Sequence, residues 1–179
     1  MPGAGKSLVA HMIQKSGFFI VNMGDVVRNE AAKRCLDMSD SSLGEFMIKL
    51  REEFGPAVVA ELCLKDLLNS EHNMVVVDGI RNILEVKLFK KYFRVKLLAI
   101  HASPKTRFNF LKDRRREDFP ISCEAFEARD RRELKIGLGE VIALSDEIIS
   151  NNNVSKDKLE LMVFKIIRSW INEIEDRTF

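Results

Sequence analysis

Four short apolar runs, separated by longer amphipathic segments, constrain this chain more than any other feature of its sequence. GFFIVN (17–22), MVVVDG (74–79) and VKLLAIHAS (95–103) are rich in β-branched and aromatic residues and read as buried strands, with DEIISNN (146–152) as a shorter fourth. Helical patterns cover 7–15, 26–34, 43–54, 56–68, 82–92, 104–116, 123–135 and 155–175. Gly55-Pro56 is a stop followed by a start, since Gly ends helices and Pro suits a first turn. In the last helix Leu159, Val163, Ile166, Ile167 and Trp170 recur at helical spacing and form a stripe for docking on the core. Near-continuous apolar strands alternating with helices imply an α/β fold with a parallel sheet covered on both faces. Ligands in such sheets bind beyond the carboxyl ends of the strands.

A length of 179 residues suits one domain spanning 1–179. With 46% hydrophobic and 31% charged residues the chain is ordinary globular material, and a net charge of +2 makes no general case for nucleic acid or membrane. Cys35, Cys63 and Cys123 are far apart and odd in number, which fits reduced thiols rather than a disulfide framework or a metal site. No apolar run approaches membrane-spanning length and the opening residues do not read as a signal peptide, so a cytoplasmic protein is expected.

The opening MPGAGKS matches the end of the phosphate-loop pattern G-x-x-x-x-G-K-[ST]. Glycines let backbone N–H groups close around phosphate oxygens, and the helix that follows turns its positive end toward them. The expected nucleotide-binding stretch is Gly3, Ala4, Gly5, Lys6, Ser7 and Leu8. Lys6 reaches the β- and γ-phosphates, and the Ser7 hydroxyl binds Mg²⁺. The full pattern also needs a Gly before Met1 and a strand before that Gly. The expectation is that the given chain starts too late and lacks one strand of about five residues. The rival reading, a loop without its strand, leaves a gap in the sheet and unpaired backbone groups.

Two further elements follow strands. In MGDVVR, a Gly turn precedes Asp25, and Arg28 lies in the first turn of a helix. Asp25 is suited to order Mg²⁺-bound water or to take a proton from an acceptor hydroxyl, and Arg28 to hold an acceptor phosphate. Read alone, they are a helix cap and a solvated Arg. In VVVDGIR, Asp78 ends an apolar strand, where such a carboxylate reaches Mg²⁺ through water. Gly79 permits close approach, and Arg81 points to the same mouth. The bland alternative for Arg81 is an i, i+4 ion pair with Glu85. His11, His72 and His101 share no ligand spacing.

Taken in this order, the phosphate loop, GDVVR (24–28) and DGIR (78–81) resemble the acceptor- and donor-binding elements of adenylate kinase and its nucleoside-monophosphate kinase relatives. GLGEVIALSDEIISNN (137–152) resembles the end of dephospho-CoA kinases. Over essentially its whole length the chain resembles an archaeal family of adenylate-kinase-related proteins that shares the loop and the DVVR, DGxR and GEVIA elements. The resemblance implies a three-layer P-loop kinase fold with strand order 2-3-1-4-5, the absent strand being the central one. It implies a donor site at Lys6 and Ser7 and an acceptor-phosphate site at Arg28 and Arg81, with Asp25 beside it. It implies an acceptor-binding helical region at about 24–73 and a lid at about 111–136. DGIR lacks the Pro of the kinase element, and there is no long zinc-type lid.

The segment 112–132 concentrates Arg114, Arg115, Arg116, Arg129, Arg131 and Arg132 among interleaved acids. Solvated helix faces account for most of them. A lid needs only one or two of Arg107, Arg114, Arg115, Arg129 and Arg132 to neutralise charge on a transferring phosphoryl group, and Arg114 is the named catalytic candidate beside Lys6, Asp25 and Asp78. The acids, and the scarcity of aromatic platforms, count against an RNA surface without closing the question. The expected function is transfer of the γ-phosphate of Mg-ATP to a small nucleotide-type acceptor, AMP or a dephospho-CoA-like molecule. The alternative is a nucleotide-dependent switch or slow ATPase acting on a macromolecular, RNA or ribosomal, partner.

Overall fold

The computed structural model describes residues 1–114 and 122–176, apart from the side chains of Asp40, Arg114 and Glu175. Its elements in chain order are α1 (Lys6–Lys15), β1 (Phe19–Asn22), α2 (Met23–Lys33), α3 (Asp40–Phe54), α4 (Val58–Leu68), β2 (Val75–Asp78) and α5 (Ile83–Phe89). Then come β3 (Leu98–His101), α6 (Pro104–Arg114), α7 (Cys123–Ile136), α8 (Leu138–Ala143), β4 (Glu147–Ser150) and α9 (Lys156–Glu175). Each expected strand is present, shortened at its ends.

All strand pairing is parallel. β1 pairs with β2 so that Asn22 lies opposite Asp78, and β3 pairs with β4 so that His101 lies opposite Ser150. Successive strand side chains point to opposite faces, and the core follows that alternation. Val21, Val75 and Val77 pack with Val27, Leu50, Val59 and Phe89, in a cluster built by α2 to α5. Ile20 and Val76 pack instead with Val9 and Ile13 of α1 and with Leu159 and Val163 of α9. The sheet is therefore covered on both faces. Leu159, Val163, Ile166 and Ile167 of the expected stripe all join this second cluster.

The strands form two separate pairs, as expected for an order whose central strand is absent from the given chain. β1–β2 and β3–β4 are the two outer pairs of the order 2-3-1-4-5, but among the described residues no strand joins them. Between β2 and β3 lies a cavity of about 700 Å³, lined in part by Val9, Ile13, Val76, Leu98 and Ile100. α1 spans the division, packing on β1 and β2 while touching α9.

Two local differences have clear causes. Helix α2 starts at Met23, so Gly24 and Asp25 lie in its first turn rather than in a loop. Asn22 sets this boundary: its Oδ1 accepts from Gly24 N at 2.8 Å and Asp25 N at 3.3 Å. The short helix α8 was not expected. Gly137, at φ 115°, ends α7 and caps α8 in one residue, a left-handed conformation that favours glycine. The three cysteines are free: Cys35 and Cys123 are exposed, while burial, followed by Glu85 and Asp66, pushes the Cys63 thiol up to about 12. Among the described residues no helix is long and apolar enough to cross a membrane.

Glu85 is wholly buried and ties this framework together. It completes a capping box with Asn82 at the start of α5, and its Oε1 accepts from Arg51 Nη2 of α3 at 2.5 Å. Removing one partner of a buried pair strands the other charge, at about 3–5 kcal/mol. Glu85→Ala is therefore expected to lower unfolding free energy by about that amount in urea titrations, and Glu85→Gln, which keeps capping capacity, by less.

Candidate nucleotide site

The phosphate loop adopts the backbone its glycines allow. Gly3 has φ 78° and Gly5 φ 102°, both in the left-handed region. Gly5 caps α1 without a side-chain acceptor, which leaves the N–H groups of Lys6 and Ser7 for a ligand, while Leu8 N already donates to Gly5 O at 3.0 Å. Two side chains hold the loop from behind. Asn151, buried just after β4, donates from Nδ2 to Ala4 O at 3.0 Å and from its backbone N to His101 O at 2.7 Å. A Cβ on Gly5 would stand 2.5 Å from that Nδ2. Arg107 of α6 donates from Nη1 to Pro2 O at 3.1 Å and from Nε to Ala102 O at 3.1 Å. It also grips Asp130 of α7 through Nη1 at 2.8 Å and Nη2 at 2.5 Å, and lies over the Phe126 ring. Arg107 is only 3% exposed. It is thus a brace for the loop and not a lid arginine aimed at a ligand.

Lys6 is half-buried as a residue, and its ammonium is desolvated. Its pKa falls below the ordinary value chiefly through that burial. Asp78 opposes the fall, Arg81 adds to it, Glu133 opposes it and Arg129 adds to it. These five charged groups are therefore neighbours at the carboxyl end of β2. Asn22 Nδ2 stands 3.5 Å from Asp78 Oδ2, so the tips of β1 and β2 meet at the same mouth. Burial, then Lys6 and Arg107, lowers the Met1 amine to about 5.

Gly79, at φ 107°, seats the DGIR turn on the start of α2: a Cβ there would lie 3.4 Å from Met23 Cβ. That contact brings the two sequence elements side by side. Within α2, Arg28 donates to Asp25 one turn earlier, and both side chains are exposed. Arg81 does not pair with Glu85. Its backbone N donates to Glu85 Oε2 at 2.8 Å, while its guanidinium donates to Glu133 of α7. α7 is held close by Asn82 Nδ2, which donates to Ile136 O at 2.7 Å. Arg132 reaches α3 because Gly44 has no side chain: a Cβ there would stand 2.6 Å from the guanidinium carbon. The side chain of Arg114, and Arg115 and Arg116 entirely, lie outside the described residues.

Sequence reasoning missed Glu133, Asn151 and Asp130. Asn151 had a signal, its place immediately after a strand; Glu133 and Asp130 had none beyond an acid-base mixture on a helix.

The donor set fits a polyphosphate: an uncapped helix start, two left-handed glycines and a buried ammonium. It also fits Mg²⁺. Among the described residues no group of three or more His, Cys, Asp or Glu forms a protein cage. Ser7, exposed at the start of α1, is a hydroxyl donor on the loop, and Asp78 and Glu133 are the acids beside Lys6. Mg²⁺ characteristically takes one or two protein oxygens and completes its shell with water and phosphate.

Fold and site together define a P-loop nucleotide-binding protein of the nucleoside-monophosphate-kinase-like superfamily. The chain belongs to the UPF0200 family, and its residues 1–126 match the family model described as an AAA domain. It is 42% identical over 177 residues to UPF0200 protein MJ1399 of Methanocaldococcus jannaschii, covering 98% of this chain and 89% of that one. It is 44% identical over 172 residues to UPF0200 protein PF1294 of Pyrococcus furiosus, covering 93% and 92%. The crystal structure of TT1252 from Thermus thermophilus shares the fold, with a TM-score of 0.59 at 18% identity, covering 96% of this chain and 93% of that one.

A lysine with a lowered folded-state pKa binds its proton more tightly when unfolded. Its charge therefore costs stability below the folded pKa, and that cost fades as pH rises toward the ordinary 10.5. Lys6→Met is expected to melt no lower than the parent without nucleotide, with its advantage shrinking between neutral pH and pH ~10. The same variant is expected to lose the rise in melting temperature that nucleotide gives the parent. Thermal unfolding across pH, with and without Mg-ATP, measures both.

Proposed function

We propose that this protein transfers the γ-phosphate of Mg-ATP to a small nucleotide-type acceptor, an AMP-like nucleoside monophosphate or a dephospho-CoA-like molecule. The observation that carries this reading is the meeting of Lys6, Asp78 and Arg81 at one strand-end mouth, with Asp25 in the adjoining first turn of α2 and Arg28 one turn on, not in the first turn as the sequence suggests. A loop that only hydrolysed nucleotide would have no use for two arginines set a turn beyond separate strands.

In this reading the α1 N–H groups and Lys6 hold the donor's β- and γ-phosphates. Ser7, and Asp78 through water, would hold Mg²⁺, which would supply neutralisation of charge on those phosphates. Arg28 and Arg81 hold the acceptor's phosphate, and α2 to α4 cover the acceptor. An acceptor oxygen bonds to the γ-phosphorus as the bond to the β,γ-bridging oxygen breaks, leaving ADP. Alignment and charge neutralisation supply the rate. A phosphate acceptor is already a nucleophile and needs no base. A hydroxyl acceptor must lose a proton, and Asp25 or Asp78 takes it. Arg114, Arg129 and Arg132 are the lid residues suited to the charge that develops on the transferring group.

Calorimetric titration with AMP tests the acceptor half. Arg28→Ala and Arg81→Ala are each expected to weaken AMP about tenfold or more, because charge-assisted hydrogen bonds contribute about 1.5–3 kcal/mol. Asp25→Asn is expected to abolish phosphorylation of a hydroxyl and to affect that of a phosphate mainly through Mg²⁺. ATP binding without any AMP binding, together with hydrolysis stimulated by a macromolecular partner, would replace this reading with a switch.

A further inference from the structure

Glu133 is 2% exposed and pairs with the guanidinium of Arg81, the arginine assigned above to the acceptor phosphate. It also faces Lys6, whose charge it supports, and so serves the principal cation of each phosphate subsite. Only one of its oxygens is engaged: Oε2 is buried and has no hydrogen-bond partner among the described residues. A half-satisfied buried carboxylate between two cations is a poor structural device, because the second oxygen has given up water for nothing. It is a good substitute for an anion that is to arrive later.

Resting on the phosphotransfer reading, we infer that Glu133 is an internal stand-in for the acceptor phosphate, holding Arg81 in place until the substrate displaces it. Displacement exchanges one anion for another on Arg81, and it frees Glu133 from a site in which half its hydrogen-bonding capacity is unmet. α7 need not leave for this to happen. Asp130, one turn earlier, stays gripped by Arg107, and Ile136 O stays bonded to Asn82, so rotation of the Glu133 side chain suffices. The device sets specificity. A ligand lacking a phosphate cannot displace the carboxylate from Arg81, so it leaves the site closed and the cation engaged.

The test is calorimetric titration of the full chain with AMP and with inorganic phosphate, in the parent, E133Q, E133D and E127Q. E133Q is expected to bind both ligands about three- to tenfold more tightly, since competition for Arg81 is weakened. E133D keeps the charge but falls one methylene short of Arg81, and is expected to tighten binding in the same direction. That variant separates displacement from a general effect of charge. E127Q removes a surface acid of the same helix, one that pairs with exposed Arg131, and is expected to leave both affinities within about twofold. Weaker or unchanged binding in E133Q and E133D, with Arg81-dependent AMP binding in the parent, overturns the stand-in and leaves the phosphotransfer reading intact. A fall in melting temperature with no gain in affinity marks Glu133 as merely structural and overturns it too. Absence of AMP and phosphate binding in every variant overturns both. Should one Glu133 variant not fold, the other carries the test.

Discussion

Everything functional in this protein depends on the start of α1 having no cap of its own. A helix start exposes several N–H groups that must find acceptors, and most proteins supply them with a Ser, Thr, Asp or Asn side chain. Asn22, Ser39, Asn82, Ser122 and Ser155 do so for α2, α3, α5, α7 and α9. At α1 the position is Gly5, held left-handed and pressed against Asn151, with no room for even a methyl group. Among the described helices α4 and α8 also start without a side-chain cap, so the open start alone does not set α1 apart. What distinguishes it is the desolvated lysine in its first turn and the two left-handed glycines that precede it.

The charge around that helix start is balanced rather than simply positive. Lys6, Arg81 and Arg129 are set against Asp78 and Glu133. Burying cations without counter-charges would drive Lys6 toward its neutral form. Burying them with full counter-charge would leave nothing to attract a phosphate. Placing one acid on the strand end, where a metal is expected, and one on α7, where the contact is interruptible, meets both demands.

Much of this was legible in the sequence because it is local. MPGAGKS fixes the loop geometry through its glycines, and the apolar runs fix four strands through composition and length. Asp78, Arg81 and Arg28 follow strands, and in a parallel sheet that position alone directs them to one mouth. What was not legible is non-local. Glu133 and Arg81 are 52 residues apart, and Asn151 and Ala4 are 147 apart. No periodicity reports such pairings. Arg107 was misread for the same reason: an Arg on a helix after a strand looks like a lid residue until Asp130, Ala102 and Pro2 are seen to occupy it. The alternative pairing of Arg81 with Glu85 rests on i, i+4 spacing, but burial gives that carboxylate to Arg51 and to the cap of α5. The early start of α2 was missed because a Gly after a strand reads as a turn, and only the Asn22 contacts reveal the helix.

The three-way grip of Arg107 has a mechanical corollary. One rigid, planar group joins the end of β3, the first residues of the phosphate loop and the inner face of α7. Guanidinium geometry tolerates little bending, so a tilt of α7 must be transmitted to the loop or must break two bonds to Asp130. A displacement of α7 and a displacement of the loop at Pro2 are thereby mechanically coupled.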